Sequence, residues 1–92
     1  MIAVDTSALM AIVLGKPEAD ACIRVLETET EVTISAGTVA EALIVAARRN
    51  VGDEVTRMID GLGFEIVAVT RASARRIAAA YARWEEVRIR RG

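Results

Sequence analysis

Ile2-Ala3-Val4-Asp5-Thr6-Ser7-Ala8-Leu9 is the stretch from which the fold of this chain can be read. Three consecutive apolar residues suit a strand covered on both faces, and the run stops at an acid. Thr6 and Ser7 follow, and Ala8 to Leu14 is then apolar throughout, as expected of a helix that starts straight after the strand. Gly15 is a natural stop for that helix. Pro17 opens the next helix at a first-turn position, where its missing N–H costs nothing. Ala19, Cys22, Ile23 and Leu26 give that helix an apolar stripe.

The same alternation continues outward. Glu31 to Ser35 reads as a second strand, carried by Val32, Thr33 and Ile34. A helix from about Thr38 to Arg49 follows, Asn50 and Gly52 punctuate, and Asp53 caps a helix running to Gly61 or Leu62. Phe64 to Val69 is the third strand, rich in β-branched residues. Thr70 or Arg71 begins a last helix through about Glu86, with Ala74, Ile77, Tyr81 and Trp84 on its inner stripe. This order predicts an α/β domain with a short parallel sheet flanked by helices. No linker, internal repeat or low-complexity stretch interrupts it, so residues 1–92 form one domain.

The chain is 92 residues long and 53% hydrophobic, a high apolar content for so small an interior. It implies buried strands, a protein partner, or a fold missing some of its cover. No apolar run reaches the roughly 20 residues of a membrane helix. The start carries Asp5 and no basic segment, so it is not expected to be a signal peptide. Cys22 is the only cysteine, which rules out an internal disulfide and makes the cytoplasm the default location. It is expected to be core filler. Net charge is −1, but residues 1–70 hold 11 acids and 5 bases while residues 71–92 hold 2 acids and 7 bases. The basic end is suited to RNA phosphates or an acidic partner, or is simply a solvated helix face.

With no histidine, nucleophilic triads and structural zinc sites are both excluded. Gly15-Lys16 lacks the rest of a phosphate loop. Chemistry must therefore rest on carboxylates, hydroxyls, arginines and hard metals. Asp5 stands at the carboxyl end of a strand, where open parallel sheets bind ligands, although a helix N-cap would also explain it. Thr6 and Ser7 either support that carboxylate by hydrogen bonding or share the capping. Glu41 is the only charge in Thr38-Val39-Ala40-Glu41-Ala42-Leu43-Ile44-Val45-Ala46-Ala47. A helix apolar on every side should be buried, and a lone buried carboxylate calls for a cation. The spacing of Thr38 and Glu41 also suits a capping box. Two such carboxylates can hold Mg²⁺, which commonly takes one or two carboxylates plus phosphate oxygens. Tyr81 and Trp84 are aromatic enough to stack on bases but lie on the stripe expected to face the core.

Taken together, these segments resemble a VapC-type toxin of the PIN-domain ribonuclease family. Residues 2–9 match that family's first strand and first acid, and Gly15-Lys16-Pro17-Glu18-Ala19 resembles its link to the second helix. Ile34-Ser35-Ala36-Gly37-Thr38-Val39-Ala40-Glu41-Ala42 resembles the segment with its second acid, and Phe64 to Thr70 its third strand. The likeness covers about residues 1–84 and implies a truncated PIN-like three-layer domain. It also implies a Mg²⁺- or Mn²⁺-dependent endoribonuclease with Asp5 and Glu41 as catalytic metal ligands, neutralised by a VapB-type antitoxin. The family's third acid, in an Asn-Phe-Gly-Asp-type segment, has no counterpart, and Glu85 and Glu86 stand in the wrong context to replace it. The alternative is thus a catalytically impaired fragment that serves as an antitoxin-binding module. A third reading is a small α/β regulatory domain in which both acids are only caps.

Residues 85–92 read as a tail outside the family pattern. One added G after the Trp84 codon in a back-translation, TGG GAA GAG GTC CGC ATC CGG CGG G, yields the family-like Trp-Gly-Arg-Gly-Pro-His-Pro-Ala-Gly. The expectation is a single-base deletion near that codon. Loss of the later strands would leave Ile2 to Val4 as an exposed apolar edge prone to self-association. Sequencing the locus tests the deletion: the downstream DNA in the shifted frame should encode the missing helices and third acid.

Overall fold

A computed structural model describes residues 2–91, with side chains to Arg90. The element order is β1 (Ile2–Ala3), α1 (Thr6–Leu14), α2 (Ala19–Thr28), β2 (Val32–Ser35), α3 (Ala36–Arg48), α4 (Gly52–Gly61), β3 (Glu65–Val67) and α5 (Ala74–Arg91). The strands form one parallel sheet in the order β1-β2-β3. Ile2 pairs with Val32 and Ala3 with Thr33, while Ile34 pairs with Ile66. Each strand is followed by at least one helix, which is the crossover a parallel neighbour requires. The expected α/β architecture is the observed one.

The helix with the more continuous burial is α1, not α3. It carries no charge, and its consecutive residues Ala8, Leu9, Met10 and Ala11 are all buried. Helices α2, α3 and α4 each pack against it. Its C-terminus is closed by Gly15 at φ 64°, a left-handed conformation that glycine adopts without strain. Helix α3 starts at Ala36, two residues earlier than its composition suggested, because Ser35 rather than Thr38 is its cap. Ser35 Oγ accepts from Thr38 N–H at 3.1 Å. Helix α5 starts later than expected because Thr70 and Ser73 bond each other's backbone N–H reciprocally, at 2.9 and 3.1 Å, and hold the chain in a turn.

The C-terminal segment corrects two expectations. Helix α5 runs on to Arg91, past the expected end near Glu86, and Val87 is as fully buried as Trp84. Gly92, the last residue of the expected tail, lies outside the described residues. Strand β1 is a sheet edge, as expected, but it is not exposed. Ile2, Ala3 and Val4 are all at most 3% accessible, because α5 packs against β1. The open edge is β3 instead, with Ile66 56% accessible. No helix among the described residues is long and apolar enough to cross a membrane.

If α5 completes the core, Trp84→Ala should cost about 3–5 kcal/mol in urea unfolding, the usual range for a large buried aromatic. Val87→Asp should unfold the domain outright by burying a lone charge. Unchanged unfolding midpoints would mean that residues 84–87 do not dock.

Candidate metal centre

Asp5 follows β1 with extended backbone and caps α1. Its Oδ1 accepts from the Ala8 N–H at 2.8 Å and from the Ser7 hydroxyl at 3.0 Å. Both bonds fall on one oxygen, and Oδ2 accepts no hydrogen bond from the described residues. Capping therefore occupies half of the carboxylate and fixes its orientation. Ser7 supports Asp5 directly. Thr6 is half-buried beside it but gives Asp5 no hydrogen bond.

Asp5 and Ser7 wall a cavity of about 330 Å³ at the carboxyl end of β1. Glu18 and Cys22 reach it from the start of α2, and Trp84, Glu85 and Arg88 from α5. Glu85 and Arg88 form a two-bond ion pair one helical turn apart, with Arg88 Nε donating to Glu85 Oε2 at 3.3 Å and Nη2 donating to Oε1. That pairing holds the Glu85 carboxyl below its ordinary pKa and raises that of the guanidinium. Burial is the main cause pushing the Cys22 thiol up, with Arg88 opposing it and the carboxylates of Asp5, Glu18 and Glu85 reinforcing it. The Trp84 Nε1–H is buried without a hydrogen-bond partner among the described residues.

Glu41 departs from expectation. Its helix is half exposed, and Glu41 lies on the exposed side with Ala40, Leu43 and Ile44. It is therefore not a buried charge awaiting a cation. The capping box is absent too, because Thr38 already sits inside α3. Glu41 belongs to the helix that follows β2, the strand beside β1, so both acids come after the carboxyl ends of adjacent strands. It does not line the Asp5 cavity. Tyr81 is tied instead to the end of β2, its hydroxyl bonding Thr38 Oγ1 and lying 3.3 Å from Ser35 Oγ. That bond and the burial of Trp84 leave both aromatics as packing residues rather than stacking platforms.

No group of three potential ligands comes together among the described residues. Asp5 with a spare oxygen and Glu41 with a water-exposed carboxylate are hard donors of the kind that hold a Mg²⁺ ion, but only Asp5 lines the cavity. They do not enclose one. Sequence reasoning missed Glu18 and Arg88 as cavity residues and considered Glu85 only to reject it as a replacement for the family's third acid. The usable signal was the Glu85–Arg88 spacing beside a core tryptophan, which puts both on the helix face next to the interior.

Asp5 thus opens on a cavity at the carboxyl edge of a parallel sheet, the edge at which open α/β domains bind ligands. The PIN domain family model matches residues 2–89, and the chain belongs to that family. No curated protein matches it.

Two substitutions separate capping from ligation at Asp5. Asp5→Asn should leave stability nearly unchanged, since Asn caps about as well, whereas Asp5→Ala should cost about 1 kcal/mol. Equal losses in thermal unfolding would show that the charge, not the cap, stabilises α1.

Proposed function

We propose that this chain is a VapC-type endoribonuclease, cleaving RNA with Mg²⁺ or Mn²⁺ at Asp5 and Glu41 and neutralised in the cytoplasm by a VapB-type antitoxin. PIN domains are generally nucleases, and the observation that carries the reading is a PIN-family chain with Asp5 opening on a cavity at the carboxyl end of β1. Bound metal would supply hydroxide from water and neutralise the phosphate charge that develops during phosphodiester cleavage. The chain's own contribution is positioning: Ser7 and the α1 N-terminus fix the Asp5 carboxylate, and Glu41 presents a second carboxylate from α3. Arg76, Arg83 and Arg90 recur every seven residues on exposed positions of α5, a stripe suited to RNA phosphates in which Arg83 is also paired with Glu86 at 3.1 Å.

A second reading is a catalytically impaired module that binds the antitoxin without cleaving RNA. It is favoured by the lack of a three-ligand group among the described residues. Ala40, Leu43, Ile44 and Ala47 support protein partners in either case, because they line one exposed apolar stripe of α3 at i, i+3, i+4 and i+7. The partners proposed are the antitoxin and a second copy of the chain.

Cleavage of structured RNA should require Mg²⁺ or Mn²⁺, stop with chelator, and be abolished by Asp5→Asn or Glu41→Gln at unchanged stability. Absence of cleavage with antitoxin binding intact would establish the module instead.

A further inference from the structure

We propose that Arg88 is the resident cation of the Asp5 cavity and restrains divalent-metal binding there. The inference rests on Asp5 being a metal ligand, as proposed above. Asp5 enters the cavity wall from the start of α1 and Arg88 from α5, where Arg88 is paired with Glu85. The guanidinium is held in place: two bonds to Glu85 orient it, and about two-thirds of the side chain is covered. Its backbone is held as well, because Trp84 and Val87, on either side of Glu85 in sequence, are fully buried in the core. Arg88 is thus a partly exposed side chain tied to Glu85.

The charges around it point the same way. Asp5, Glu18 and Glu85 contribute three carboxylates to the cavity wall, and Arg88 is the only cation lining it among the described residues. Asp5 and Glu85 both favour the charged guanidinium, so Arg88 already compensates part of the negative field that a dication would need. A metal at Asp5 must then either displace the guanidinium from Glu85 or bear its repulsion at close range, in a cavity less well screened than open water. Both routes weaken binding. Arg88 acts by its charge and by its hold on Glu85, whereas the missing third ligand is an acid the chain does not supply.

The test is Mn²⁺ titration followed by electron paramagnetic resonance of the free ion, at low ionic strength, with thermal unfolding of every variant alongside. Arg88→Gln should tighten Mn²⁺ about tenfold, and the gain should shrink as salt is raised. Arg88→Met, which keeps the packing of the aliphatic stem, should show the same gain if the glutamine variant folds poorly. Arg88→Lys should keep the affinity of the unmodified chain, and adding Asp5→Asn to Arg88→Gln should remove the gain. If the unmodified chain binds Mn²⁺ at Asp5 and neither neutral variant binds it more tightly, Arg88 is no restraint and the metal reading stands without it. If no variant binds Mn²⁺, both proposals fall.

Discussion

Trp84 and Val87 bury themselves beside β1, and the domain's closure depends on that contact. Strand β1 comprises only Ile2–Ala3, pairs with a single neighbour, and would present three apolar residues to water. Helix α5 covers them. With α5 in place, Ile2, Val4, Leu9, Cys22, Val25 and Ile34 belong to one continuous core that also contains Trp84 and Val87. A chain this short has little interior to distribute, so one helix that covers an edge and supplies two core residues carries an unusual share of its stability. The segment after Trp84 is consequently structural here, whatever its relation to the family's sequence pattern.

The same packing explains which readings of the sequence held and which did not. The strand–helix alternation, the Asp5 cap and the Gly15 stop are local, written in runs of apolar residues and one positive-φ position, so they could be read directly. Exposure of α3 was not local. Glu41 stands in an apolar run, and the inference that such a helix is largely buried suits α1 but fails for α3, which leaves Leu43 and Ile44 in water. Periodicity says which residues share a face, but not whether a neighbour exists to cover it. The exposed edge was misplaced for the same reason: nothing in Val87-Arg88-Ile89 announces that Val87 will find a cavity in the core while Ile89 stays 67% accessible.

The candidate centre shows the same division. Asp5 was recoverable because its place at the end of a strand is a matter of sequence order. Its neighbours were not, since Glu18, Glu85 and Arg88 come from two other helices and converge only through packing. Charge asymmetry along the chain gave a partial clue. The acid-rich front supplies Asp5 and Glu18, the base-rich end supplies Arg88, and α5 brings the two into one cavity. Arg88 is bonded within that basic end, to Glu85, while Arg76, Arg83 and Arg90 stay exposed.

Capping and metal ligation were posed as alternatives for Asp5, yet a carboxylate can satisfy both. Oδ1 takes the Ala8 N–H and the Ser7 hydroxyl, and Oδ2 takes neither. Those two bonds restrict rotation of the carboxylate and so lower the entropy lost when its second oxygen engages a ligand. The α1 N-terminus has an opposing effect, because its partial positive charge already stabilises the carboxylate and makes it a weaker donor to a cation. A site built this way gains orientation and loses donor strength. Tight metal binding then requires further anionic ligands in the same cavity. Glu85 lines that cavity but is paired with Arg88, so the pairing adds to the shortage of converging ligands among the described residues.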